Sequence, residues 1–209
     1  HFAAAGKSDQ LSGPSPKALT ALRSAMHRPL VRRMLLAYAF AGFSFSTLLV
    51  YQVPIMIDQG LALNAAAGIA GFRGFCQLFG RVGVIAAIAK QEAAIALRVS
   101  YLLAAGGSLF ILAGNIWLGV AYGALVGASL GATTPLQAIN AQETFDPEDL
   151  GLLMGLQQSV FALAGALGPV VAGIAADVSD SQTPTVWMSV LSLLLAAILL
   201  QGKRSEAAS

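Results

Sequence analysis

Runs of apolar residues long enough to cross a bilayer recur along the chain, separated by short polar breaks. A hydrocarbon core about 30 Å thick needs roughly 20 apolar residues in a helix. Six stretches meet that need, at 34–57, 65–89, 96–114, 116–139, 152–176 and 185–201. The breaks are brief: Asp58 to Asn64, Lys90 to Ala94, Asn115, Asn140 to Gly151, and Asp177 to Pro184. None is long enough for a soluble domain. The stretches are rich in Gly and Ala and lack strand-length alternation, which disfavours a β-barrel. Lipid supplies no partner for unpaired backbone groups, so the pattern predicts an all-α membrane protein with six transmembrane helices.

Composition narrows the function classes. Of 209 residues, 56% are apolar and 11% charged, and the mean hydropathy is +0.73. Soluble domains carry about 25% charge, and disorder needs the opposite composition. A net charge of +2 without a basic run leaves no footprint for nucleic acid. The single cysteine, Cys76, excludes an internal disulfide and reads as inert packing. No Cys/His cluster marks a metal site, and no cofactor is expected. The expected partners are the lipid bilayer and a small-molecule substrate. The chain starts at His1 and not at Met, which fits a processed product or a piece of a longer chain.

Basic residues set the orientation. Lys7, Lys17, Arg23, Arg28, Arg32 and Arg33 precede the first span; Arg81, Lys90 and Arg98 bracket the second connection; Lys203 and Arg204 follow the last span. With six crossings, these eleven of the twelve fall on one side, which the positive-inside rule makes cytoplasmic together with both termini. The segment Lys17 to Arg33 suits a short basic amphipathic helix on the anionic leaflet, ending at Pro29. In the acidic loop, Asp146 is expected to cap the next helix and Pro147 to take its first position; its ligand order does not fit an EF-hand.

The twelfth basic residue, Arg73, lies about 13 Å into the second span, where a charge is costly. Gln77 and Arg81 follow at i+4 and i+8, giving a polar face expected to line a water-filled cavity. Arg73 suits an anionic substrate group through its planar fork, although a structural hydrogen-bonding role stays open. Tyr51 and Gln52, just before Pro54, and Thr133 and Gln137 on span four are further candidate lining residues. Arg81 suits anchoring of a loop or gate. Gly119, Gly123, Gly127 and Gly131, four apart, form a stripe that lets another helix approach closely. Gly165, Gly168 and Gly173 surround Pro169, which removes a helix hydrogen bond. These glycines suit either static packing or helices that slide during an access cycle. Gly127 to Gly131 also matches G-x-S-x-G, but mid-helix and without a histidine in any span, so no hydrolase follows and an enzyme is not expected.

These features together resemble the C-terminal six-helix half of a major facilitator superfamily transporter. Gly80-Arg81 is similar to the Gly-Arg of the family's loop motif between the second and third helices of a half. Gly165-x-x-Gly168-Pro169-x-x-x-Gly173 is similar to the Gly-Pro motif on the fifth helix, and Asp149 to Gly155 to the short approach to it. The Asp-Arg that usually follows Gly-Arg is missing, since Val82 to Ala89 is apolar. The resemblance implies a basic central loop at 1–33, helices seven to twelve of a twelve-helix carrier at 34–202 and a cytoplasmic tail at 203–209. It also implies alternating access, a plasma (bacterial inner) membrane location, and an N-terminal six-helix half or a second copy as partner. Arg73 then resembles the Arg of the organic-anion branch, with Ile69 where an acidic residue is usual. Two alternatives stay open: a drug or metabolite efflux carrier of the same superfamily, and a six-helix assembly partner that transports nothing.

Overall fold

The computed structural model describes residues 26–88 and 92–200, with the backbone alone at 85–88. Among these residues the chain forms six long helices and no strand: α1 (Pro29–Asp58), α2 (Leu63–Ile88), α3 (Ala93–Leu109), α4 (Ile116–Thr144), α5 (Leu150–Ser179) and α6 (Thr183–Leu199). A single 3₁₀ turn, Phe110–Ala113, extends α3. Four helical segments are long and apolar enough to cross a membrane: α1, α3 with its 3₁₀ turn, α4 and α5. Helix α6 is apolar but has 17 residues; α2 has 26 residues and carries Arg73, Gln77 and Arg81. Lys7, Lys17, Arg23, Lys90, Lys203 and Arg204, and most of the expected amphipathic helix, lie outside the described residues.

Local chemistry sets the ends. Pro29 opens α1, where its missing N–H is no loss, so Arg32 and Arg33 sit on the first turns of that helix. At the far end, Gly60 has φ +91°. Its N–H bonds Ile57 O at 2.9 Å while Leu61 N–H reaches Met56 O at 2.9 Å, a Schellman closure that favours glycine. Gly114 (φ +61°) sits against the Gln59 carbonyl, so the α3–α4 turn rests on the α1–α2 turn. Asn115 then caps α4, accepting from Trp117 N–H at 2.8 Å. Asp58 accepts from Gln182 N–H at 3.2 Å and ties in the α5–α6 turn. These three turns gather at one end of the bundle. Residues Leu30, Glu92, Asn140 and Leu200 gather at the other.

Two boundaries differ from expectation at the α4–α5 connection. Asn140 to Thr144 continues α4, with the Thr144 hydroxyl donating to Asn140 O at 2.6 Å. Asp146 and Pro147 are neither cap nor first helical residue. They form a turn closed by Asp149 N–H on Asp146 O at 3.1 Å, and α5 starts at Leu150.

Packing is organised around two seams. In the first, α4 lies on α2: side chains at Gly127, Gly131 and Gly119 would strike Arg73 O, Gln77 O and the Ile69 side chain, and one at Gly80 would strike Ala128 O. In the second, α5 lies on α1: side chains at Gly42 and Gly168 would strike Phe161 O and Phe43 O, and one at Gly165 would meet Ser46 Oγ at 2.6 Å. Helices α3 and α6 complete the bundle, α3 on α4 and α6 on α1, and they also touch each other. Exchanging α1–α3 for α4–α6 therefore maps the set of major interfaces onto itself. The pattern is that of two inverted three-helix repeats. Each seam leaves a V-shaped apolar groove. One, of about 400 Å³, opens between α2 and α3 over α4. The other, of about 440 Å³, opens between α5 and α6 over α1.

Candidate functional site

Because α4 presents glycine to α2, the two backbones meet at the level of Arg73. The Cβ position of Gly123 lies 3.6 Å from Arg73 N, and that of Gly127 falls on Arg73 O. The Arg73 side chain is consequently enclosed, with 5% of its surface exposed. Its Nε has no hydrogen-bond partner. Tyr122 on α4 is fully buried, its hydroxyl is also unpartnered, and it lies within electrostatic reach of the Arg73 charge. Among the described residues, the acids lie at helix ends and in turns (Asp58, Glu92, Glu143, Asp146, Glu148, Asp149, Asp177 and Asp180), so none meets this guanidinium inside the bundle.

An unpaired buried donor costs about 1–3 kcal/mol, and more when charged. A guanidinium and a phenol on facing helices, within electrostatic reach of each other, form a donor set that suits one carboxylate or a similar oxyanion. Gln52 adds another unsatisfied atom in the bundle: Nε2 donates to Leu49 O at 3.1 Å, while buried Oε1 has no partner.

The remaining candidates are spread through the bundle. Gln77 is half-buried, with its carbonyl against Gly131, and Arg81 is exposed. The expected polar face thus turns from interior to surface, since eight residues rotate a helix face by about 80°. The Tyr51 hydroxyl rests against Gly173 in the α1–α5 seam. Thr133 donates to Ser129 O at 2.9 Å, and Gln137 donates to the Tyr101 hydroxyl at 3.2 Å; both are almost fully buried. Gly80, Gly123, Gly127 and Gly168 all lie in the seams, and Pro169 sits inside a helix that continues past it.

Sequence reasoning left one polar cluster unassembled. Asn140 Nδ2 donates to the Tyr38 hydroxyl at 2.7 Å and approaches Met34 Sδ at 3.2 Å. With the Gln137–Tyr101 bond, this buried belt links α1, α3 and α4. The available sign was the spacing Thr133, Gln137, Asn140 on one face of α4. For Tyr122 no comparable sign exists, because its partner is one residue on another helix.

A comparison with curated proteins finds no match. A family model described as Major Facilitator Superfamily matches residues 93–208, a segment that starts at α3 and leaves Arg73 outside it. That segment is more than half of the chain and takes in α3–α6, and so one helix of each seam: the chain belongs to the major facilitator superfamily, a family of membrane transporters.

Proposed function

We propose that this chain is helices seven to twelve of a secondary transporter that moves a small organic anion by alternating access. Six crossings are supported by the way successive turns alternate between two ends of the bundle. Both termini are then cytoplasmic, in a plasma or bacterial inner membrane. Arg28, Arg32, Arg33, Arg81 and Arg98 lie toward the Pro29 end, while Asp58, Asp177 and Asp180 lie toward the opposite one.

The observation that carries the substrate class is the enclosed Arg73, whose Nε has no partner, with the unpartnered Tyr122 hydroxyl within its electrostatic reach. A carboxylate arriving from water satisfies both groups at once, which gives the solute a reason to enter a site without acids. Gln77 and Gln52 contribute amide groups to the less polar part of the solute. The glycine seams hold the bundle rigid while it rocks against the other six helices, and Arg81 anchors the α2–α3 connection.

Uptake of labelled carboxylates by membrane vesicles carrying the protein tests this reading. Arg73→Lys, which keeps the charge and loses the fork, lowers uptake about tenfold, and Arg73→Ala abolishes it. Unchanged uptake of every carboxylate by both variants sinks the proposal.

A further inference from the structure

We propose that the groove between α5 and α6 is a binding site for one anionic phospholipid, held by Arg28 and Arg32. Helices α5 and α6 both pack on α1 but touch each other little, so a cleft of about 440 Å³ remains, floored by Ala39, Phe40 and Phe43. Its walls are apolar and exposed: Leu167 is 60% exposed and Leu191 58%. In a bilayer, such a cleft is filled by an acyl chain.

The charge on the floor helix selects the headgroup. Arg32, Leu36, Ala39 and Phe43 follow one another at spacings of four, three and four, so they share one face of α1, and Arg28 stands one position before its first residue. Both arginines are exposed, no acidic residue lies in the first turn of α1, and neither arginine pairs with a carboxylate among the described residues. From Arg32 to Phe43 the helix rises about 16 Å, close to half of a hydrocarbon core about 30 Å thick. A phosphate at the arginines therefore places its acyl chain along Leu36 and into the cleft.

The related groove over α4 makes the contrast. There the floor helix presents Ala128, Ala132 and Leu136 and carries no basic residue. The inference concerns the lipid side of the bundle and does not depend on the role of Arg73.

Spin-labelled phosphatidylglycerol and spin-labelled phosphatidylcholine, each added to phosphatidylcholine vesicles holding the protein, test the site. The expected spectrum shows a motionally restricted component that favours phosphatidylglycerol. Replacing both arginines (R28Q with R32Q) lowers that preference at least about fivefold, while Arg98→Gln, off the groove, leaves it intact. Ala164→Phe, which fills the cleft, lowers the restricted fraction of both lipids. An unchanged preference in the double variant overturns the proposal. So does an equal loss with Arg98→Gln, which would mean diffuse surface charge and no site.

Discussion

A guanidinium taken out of water must be matched by something, and no carboxylate among the described residues matches Arg73. Its neighbour Tyr122 has the same deficit: a phenol with no exposed surface and no acceptor. Two orphaned donors on facing helices are expensive as pure structure and inexpensive as a receptor, because the ligand supplies the missing acceptor. Tyr122→Phe separates the two roles. It removes no bond formed in the protein alone and relieves an unpaired buried hydroxyl, so thermal stability is unchanged or rises. It removes one donor to the solute, so the apparent KM for uptake rises about fivefold. A variant that loses stability and keeps its KM places Tyr122 in the framework.

Among the elements, the glycine seams decide the architecture. Gly127→Leu sets a side chain onto the Arg73 carbonyl, where backbone cannot give way. The expected cost is at least the 1–3 kcal/mol of an overpacked core, read as a lowered melting temperature with uptake lost. A fully stable and active Gly127→Leu protein contradicts this seam. The seam was legible in the sequence because four glycines at a spacing of four specify one helix face without knowledge of the partner. Helix ends were less legible: Asn140 to Thr144 is polar in composition and reads as loop, yet Asn140 is held in the bundle by Tyr38 on α1. Such a bond spans 102 positions and leaves no periodic trace. Arg73 was legible as an isolated charge in an apolar span; Tyr122 was not, since buried tyrosines are common and only geometry brings this one to the arginine. Thr133 and Gln137 were legible as polar, but their partners within the bundle were not.

At the scale of the molecule, one exposed apolar face of the bundle is carried by α2. Helix α2 exposes Phe75 and Leu78, and side chains at Gly71 and Gly74 would meet nothing within 4 Å. Within this chain those glycines have no packing role. If a second six-helix bundle packs on α2, they gain one. Gly71→Leu is accordingly expected to leave the melting temperature of this bundle unchanged and to abolish uptake in the complete transporter. Retained uptake would show that no helix approaches there. The inverted pairing of α1–α3 with α4–α6 supports the same view, since it builds a rigid body suited to rocking as a unit.

Thermal unfolding of the purified protein across a panel of small carboxylates, each paired with its uncharged amide, bears most directly on Arg73. With an oxyanion as the missing partner, at least one carboxylate raises the wild-type melting temperature, its amide does not, and Arg73→Met responds to neither. A ligand-free Arg73→Met protein that melts well below wild type, in a panel where no carboxylate stabilises wild type, would show that the guanidinium serves the framework alone.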